Sequence, residues 1–250
     1  MNSRILEVPV DNLESASLAA PHADRLEVCA DLSSEGWSPE YDVLKSVVDL
    51  KSHHDIQVIS LIRPEISPVE HTLEAKHFVA TKESMDASIA SIEHAGEVGA
   101  NGVAIGILNP DGSIDHQSCG RLIECARRNT LEVSFLRVFD LTPDRSAAIR
   151  ILTNIGVDRI LTTGMRGWNI DDVRVERRIE TLKRDIHTAQ QSATSQDRTP
   201  VMIMPGGGIR SSNVRDFASI SPSVHSSCRG EHGFDVNELI AIKNALNEMT

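Results

Sequence analysis

Short apolar runs rich in Val, Ile and Leu alternate along this chain with longer stretches whose apolar residues recur every three or four positions. The first pattern is typical of buried parallel strands, and the second is typical of amphipathic helices. Eight strands and eight helices are predicted, which is the order expected of an α/β protein with a closed (βα)8 TIM barrel. The predicted strands lie near residues 5–10, 24–29, 56–62, 102–107, 132–138, 159–163, 201–205 and 223–227.

The helices are predicted from capping residues and from the spacing of apolar positions. Asp11 or Asn12 caps the first helix, and the second starts after Ser38, with Pro39 at its first helical position. The remaining helices are expected over 84–98, over 115–128, from 143 onward, over 171–191, after the glycines at 206–208, and over 236–249.

Two connections differ from the short loops expected elsewhere. Residues 64–82 form a long, mixed segment after the third strand, at the catalytic mouth of such a barrel, where loops often act as lids. Residues 192–199 are polar and precede the seventh strand. We expect this second segment to be a surface loop at the opposite end of the barrel.

Composition narrows the class of protein. With 250 residues and 40% hydrophobic content, the chain can bury one large core, so residues 1–250 are expected to form a single domain. A formal net charge of −11 and an aromatic content of 3% disfavour binding to nucleic acid or to anionic membranes. No apolar run reaches the ~20 residues of a membrane-spanning helix. The four cysteines form no Cys-x-x-Cys pair, which indicates reduced thiols in a cytoplasmic protein, and no organic cofactor is expected.

A run of three glycines, Gly206, Gly207 and Gly208, separates the seventh strand from a helix start predicted at 211–213. Glycines allow backbone N–H groups to approach a ligand closely, and the helix opening adds unpaired donors. Ser226 and Ser227 end the neighbouring eighth strand, where phosphate sites often form in this fold. These residues together predict an anion-binding site, and the alternative is a plain strand-to-helix turn.

Four charged residues fall inside predicted strands. Alternation along the strand places Glu7 and Glu27 opposite their apolar neighbours, so both carboxylates are expected to point into the barrel. The same alternation directs Arg63 and Arg137 inward near the carboxyl ends of their strands. Because isolated buried ions are costly, Glu–Arg pairing is expected. The functional interpretation is a polar substrate pocket, and the alternative is an ion-pair layer that only closes the top of the barrel.

Other polar residues reach the same end of the predicted barrel. Asp140, Thr162, Thr163 and His225 all follow or end strands there, and active sites of this architecture are built at that face. His225 is a candidate for proton transfer, although a lone histidine can equally be a satisfied core residue.

Several segments together match the motifs of one known family. They are Leu6-Glu7-Val8, 10–16, Ala23-Asp24-Arg25-Leu26-Glu27-Val28-Cys29, Ile62-Arg63-Pro64, 109–115, Arg137-Val138-Phe139-Asp140, 158–162, 204–208 and His225-Ser226-Ser227. On these motifs the chain resembles the CutC family of copper homeostasis proteins, most clearly over residues 5–230. The resemblance implies a TIM barrel, a cytoplasmic location, Cu(I) binding and assembly into homo-oligomers.

The chain departs from the family pattern at positions near the barrel mouth. Pro9 stands where the first strand of the family usually has a cysteine, which leaves Cys29 as the thiol that the resemblance links to copper. Since Cu(I) prefers sulfur ligands, the loss weakens copper binding, unless Cys228 on the eighth strand substitutes. Leu136 replaces a histidine and Glu65 replaces an arginine, so an activity shared by the family is expected to be modified or lost.

Two functions follow from these observations. The first is a CutC-type copper homeostasis protein with Cys29 as metal ligand. The second is an enzyme, such as an isomerase, aldolase or hydrolase, that acts on a small phosphorylated or carboxylated metabolite. The partner is accordingly a copper ion or a small anion. The candidate catalytic residues are Glu7, Glu27, Arg63, Arg137, Asp140 and His225, and the candidate anion-binding residues are Gly206, Gly207, Gly208, Ser226 and Ser227.

Overall fold

The computed structural model describes residues 4–64, 73–168, 173–230 and 233–249. Within them, eight parallel strands form a nearly closed barrel, which confirms the predicted (βα)8 architecture. The strands are β1 Ile5–Val10, β2 Arg25–Val28, β3 Gln57–Leu61, β4 Gly102–Ile105, β5 Glu132–Phe135, β6 Arg159–Thr162, β7 Met202–Pro205 and β8 Ser223–His225. Consecutive strands from β1 to β7 pair with each other, and β1 also pairs with β8, so that β7 and β8 are the two ends of the sheet.

Helices pack around the outside of the barrel and cover its apolar face. They are α1 Leu13–Ala19, α2 Tyr41–Asp49, α3 Lys82–Glu97, α4 His116–Arg128, α5 Arg145–Ile155, α6 Val175–Gln196, α7 Val214–Ala218 and α8 Val236–Asn247. After β8, Arg229–Gly230 pairs with Gly233–Phe234 in a short antiparallel ribbon. None of the described helices has the length and apolar character needed to cross a bilayer.

Alternation along β1 separates the two faces of the barrel wall. Leu6, Val8 and Val10 belong to the hydrophobic core, while Glu7 and Pro9 face the barrel interior. The parallel register aligns Glu7 with Arg25 of β2 on one side and with His225 of β8 on the other. The polar interior is therefore built on a row of three cross-strand neighbours.

Several element boundaries differ from the prediction for local reasons. α2 begins at Tyr41 and not at Pro39, because Ser38 donates its N–H to the carbonyl of Arg63 and its hydroxyl accepts the N–H of Arg63. These bonds hold Ser38 in an extended connection beside the end of β3. The residue that was predicted as a helix cap therefore fastens two barrel loops together.

Two other predicted segments have a different structure. β5 ends at Phe135, and Arg137–Leu141 forms a short 3-10 helix where strand was predicted to residue 138. α6 continues to Gln196, because Ser192 and Ala193 are buried against the barrel. The prediction of a surface loop is therefore wrong over 192–196.

Residues 65–72 of the predicted lid, and Glu65 with them, lie outside the described residues. The described end of that segment, Ala75–Phe78, is a 3-10 turn that brings Phe78 to the barrel mouth.

Gly102, the first residue of β4, provides a test of the barrel packing. A Cβ at this position would lie 2.8 Å from the carbonyl oxygen of Glu132, a backbone atom of β5 that cannot move alone. We expect Gly102→Ala to lower the free energy of unfolding by about 1–3 kcal/mol. The matched control is Gly120→Ala in α4, where no atom lies within 4 Å and where alanine should add up to ~1 kcal/mol through helix propensity. Urea denaturation measures both, and equal effects would contradict the close β4–β5 contact.

Candidate functional site

A pocket of about 290 Å³ opens at the carboxyl ends of the strands. This is the end of the barrel at which active sites of this fold are found. The pocket combines acidic, guanidinium, aromatic and glycine surfaces. Its polar and glycine lining includes Glu27, Glu35, Arg63, Arg137, Gly207, Gly208, His225, Ser227 and Arg229.

Glu7 lies under this pocket and is fully buried. Its Oε2 accepts a hydrogen bond from Nε of Arg25 at 2.8 Å, and its Oε1 lies 2.9 Å from Nδ1 of His225. Burial alone would raise the pKa of Glu7, but Arg25 and His225 outweigh that effect and hold the pKa below its usual range. Burial would lower the pKa of His225, but Glu7 and Glu27 raise it. Both shifts favour the charged forms of Glu7 and His225, which attract each other across this contact.

The predicted Glu–Arg pairing occurs, but with a different arginine. Arg25 was not among the candidate residues, although it precedes Glu27 by two positions in β2 and so shares its inward face. Arg25 also donates to Glu132 at 3.1 Å, and Glu132 forms a second ion pair with Arg159. An ion-pair layer is thus present under the pocket, whereas the alternative interpretation placed such a layer at the top of the barrel.

Glu27 is the carboxylate that remains for the pocket. It is 5% exposed, and it forms no hydrogen bond or ion pair with a described residue. One ligand atom each of Glu7, Glu27 and His225 lies within 4.8 Å of the others. Burial raises the pKa of Glu27, His225 opposes this shift, and the negative charge of Glu7 adds to it, with a resulting pKa of about 7. Glu27 therefore gains and loses its proton near neutral pH.

Two guanidinium groups form another part of the wall, and aromatic rings hold their planes. Arg63 lies 4.2 Å from the ring centroid of Trp37 and 5.0 Å from that of Phe78, and Arg137 lies 4.3 Å from that of Trp168. Burial lowers the pKa of Arg63 to about 10, against the opposing charge of Glu35, so Arg63 remains a cation. The structure thus brings both predicted arginines into one pocket with Glu27 and His225.

The glycine loop contributes only in part as predicted. Gly207 and Gly208 line the pocket, but the N–H of Gly206 is used by the carbonyl of Thr162. Ser227 lines the pocket, whereas the hydroxyl of Ser226 is buried and donates to Ile209.

The helix after this loop does not supply the predicted donors. α7 starts at Val214, and the N–H and hydroxyl of Ser211 both donate to the carboxylate of Glu238. The expectation that the opening at 211–213 faces an anion is therefore wrong, because a side chain from α8 already occupies it.

Asp140 lies behind the pocket wall. It is fully buried and accepts hydrogen bonds from Arg145, from the hydroxyl of Thr162, and from the N–H and hydroxyl of Thr163. Its Oδ2 lies 3.7 Å from Nε of Arg137. Asp140 thus supports Arg137 and the end of β6 without lining the cavity.

The model of the CutC family matches residues 4–230. This chain belongs to the CutC family. Similar curated proteins include the copper homeostasis protein cutC homologs of Homo sapiens, 30% identical over 91% of this chain and 73% of that protein, and of Caenorhabditis elegans, 30% identical over 98% and 85%.

Solved structures agree on the fold. A CutC copper homeostasis protein from Streptococcus agalactiae superposes with a TM-score of 0.75 at 22% identity, covering 90% of this chain and 98% of that one. A thiamine phosphate pyrophosphorylase from Pyrococcus furiosus gives a TM-score of 0.60 at 15% identity, covering 99% and 97%. At these identities both show the shared barrel architecture alone.

The cysteines of this CutC-family chain do not fit a Cu(I) site. Cys29 is fully buried, does not line the pocket, and places its Sγ 3.5 Å from the carbonyl of Val10. Burial raises the pKa of the Cys29 thiol well above its usual range, so the thiolate that binds metal is disfavoured. Burial also raises the pKa of Cys228, to about 11, and its Sγ contacts Ser226. The one described cluster of three potential ligands, Glu7, Glu27 and His225, offers oxygen and nitrogen where Cu(I) prefers sulfur.

The raised pKa of Glu27 predicts a pH-dependent cost to stability. Between pH 4.5 and about 7 the folded protein retains a proton that the unfolded chain releases, so stability falls as pH rises through this window. Glu27→Gln removes this cost and should be more stable than wild type by an amount that grows to the order of 3 kcal/mol above pH 7. Urea unfolding of both proteins from pH 4 to 8 measures the difference. A constant difference across the range would show that folding does not raise the pKa of Glu27.

Proposed function

We propose that the pocket is the active site of an enzyme that binds a small anionic metabolite, with Glu27 as the group that transfers a proton. The observation that carries this proposal is a buried, unpaired carboxyl group that holds its proton near pH 7 in the same cavity as Arg63 and Arg137. A protonated acid beside two cations suits a substrate that carries negative charge and receives a proton. An acid with a pKa near the working pH is also the most effective proton donor.

The surroundings of Glu27 support a role as general acid. Arg25 and His225 are both committed to Glu7, so neither forms an ion pair that would strip the proton from Glu27. Two nearby carboxyl groups with opposite protonation states are a recurring arrangement in acid–base catalysis. Within the described lining there is no lysine, so a Schiff-base mechanism would lack its amine. We therefore place the reaction among isomerisations or bond cleavages in which an oxygen of the substrate is protonated.

The cellular setting follows from the thiols. All four cysteines are free and buried, the state expected in a reducing compartment, and this supports a cytoplasmic location.

The names of the curated relatives refer to copper homeostasis. For this chain we propose that Cys29 takes no part in Cu(I) binding. The thiol is buried, protonated and bonded to a backbone carbonyl. Cys29→Ser should therefore leave the Cu(I) affinity unchanged in a competition titration with a chromogenic chelator under anaerobic conditions. Cys125→Ser, which removes a buried thiol from α4, serves as the matched control. A loss of affinity confined to the Cys29 variant would restore this residue as a ligand.

The enzymatic proposal is tested in two stages. A thermal-shift screen of small phosphorylated and carboxylated metabolites identifies ligands, and NMR of each ligand with the protein in D2O reports turnover. Arg137→Gln should abolish the thermal shift, while Glu27→Gln should bind the ligand and lose turnover by about 10²–10⁴-fold, the usual contribution of a general acid. Because Glu27 acts protonated, turnover should fall as pH rises above about 7.

Arg121→Gln removes an exposed guanidinium from α4 and is the control for charge alone. If no metabolite stabilises the wild type, or if Glu27→Gln turns over at the wild-type rate, the proposal is wrong.

A further inference from the structure

The anion-binding groups of the pocket lie on two sides of the barrel. Arg63 follows β3, and the loop of Gly207 and Gly208 follows β7. In the barrel order these strands are four positions apart, so they stand opposite each other in a ring of eight. A small group bound at one of these two sides therefore leaves the other unfilled.

Arg178 of α6 shapes the glycine side from outside the pocket. Its guanidinium donates at 2.8 Å to the carbonyl oxygens of Gly206 and Gly207, and also at 2.8 Å to that of Thr163. The carbonyl and N–H of a trans peptide point in opposite directions. The N–H groups of Gly207 and Gly208 thus face away from Arg178, and neither donates to an acceptor in the described part of the chain. Both residues line the pocket, so these two amides are available to a ligand.

Arg178 also places unbalanced positive charge behind the loop. The side chain is buried, stacks 4.6 Å from the ring centroid of Phe217, and forms no ion pair with a described carboxylate. Burial lowers its pKa to about 10, which still leaves a cation at neutral pH. A buried guanidinium without a carboxylate partner is costly. An anion bound to the two amides on the other face of the loop would offset that cost.

The Arg63 side has a different shape. The carbonyls of Glu35 and Gly36 accept from its Nη1, and Trp37 and Phe78 hold its plane. A fixed planar guanidinium matches the planar oxygens of a carboxylate, whereas a concave pair of backbone amides matches the tetrahedral oxygens of a phosphate. Glu27 and His225 line the pocket from β2 and β8, the two strands that flank β1. At about 290 Å³ the cavity lies at the lower limit of small-molecule pockets, roughly 300–1,000 Å³.

We infer that the pocket recognises a small phosphorylated carboxylic acid, with its phosphate on the amides of Gly207 and Gly208 and its carboxylate on Arg63, and that Arg178 is the positioning residue of the phosphate side. This inference rests on the proposed function and names its substrate class. The ligand spans the pocket between the two sides, which brings its central carbons over Glu27.

Isothermal titration of the full chain with three probes tests the inference: inorganic phosphate, glycolate and 2-phosphoglycolate. We expect 2-phosphoglycolate to bind at least roughly tenfold more tightly than either fragment, because its second contact is intramolecular. Arg178→Lys keeps the charge but replaces the two donor nitrogens of the planar guanidinium by one nitrogen, so it should weaken phosphate and 2-phosphoglycolate and leave glycolate unchanged. Arg63→Gln should weaken glycolate and 2-phosphoglycolate and leave phosphate unchanged.

Two further variants guard against a folding defect. Gly208→Ala disturbs the same amides at a φ of +63°, a conformation that L residues rarely adopt, and it should reproduce the Arg178→Lys pattern. Arg184→Lys changes an exposed arginine on the same helix and should match wild type for every probe.

The outcomes separate this inference from the proposed function. If phosphate and glycolate bind and both are weakened equally by Arg178→Lys and Arg63→Gln, there is one anion site and the inference is overturned while the anion pocket stands. Binding of 2-phosphoglycolate no tighter than phosphate has the same meaning. If none of the three probes binds the wild type, both the inference and the anion pocket fail.

Discussion

The buried carboxylate of Glu7 is the constraint on which the polar interior of the barrel depends. An isolated ion at that depth would cost several kcal/mol even after the surroundings relax, so neighbouring strands must supply cations. The parallel register places Arg25 of β2 and His225 of β8 beside it, and both bind its oxygens at 2.8 and 2.9 Å. One side chain therefore connects three strands at the point where the first and last strands of the barrel meet.

The pairing of Glu7 with Arg25 and His225 determines the protonation of the second buried glutamate, Glu27. Arg25 is shared between Glu7 and Glu132, and His225 is bonded to Glu7, so in the described part of the chain neither cation forms an ion pair with Glu27. Burial then favours the protonated form of Glu27, and the adjacent negative charge of Glu7 strengthens the preference. Two glutamates that look alike in the sequence thus differ in pKa, and Glu27, which has the higher pKa, faces the cavity. The chemistry that we propose follows from that difference.

The described lining of the pocket itself has a different charge balance. Three arginines, Arg63, Arg137 and Arg229, line it together with two glutamates, Glu27 and Glu35. The chain contains two tryptophans, Trp37 and Trp168, and both stack on guanidinium groups of the pocket. In a protein with so few aromatic residues, this placement holds the guanidinium planes of Arg63 and Arg137 in fixed directions. The negatively charged ligand that we propose for this acidic protein would be attracted by this local field and not by the net charge.

The sequence by itself determined the barrel and the face on which the site lies. Periodicity identifies all eight strands, and alternation directs Glu7 and Glu27 inward, because both depend only on neighbouring residues. The sequence did not determine which cation binds Glu7, since the register between parallel strands is set by packing of the whole barrel. It also did not show that Arg178, distant in sequence from the glycine loop, orients its peptide groups, or that Glu238 occupies the start of α7. Those contacts join residues far apart in the chain, and only the closed barrel brings them within hydrogen-bond distance.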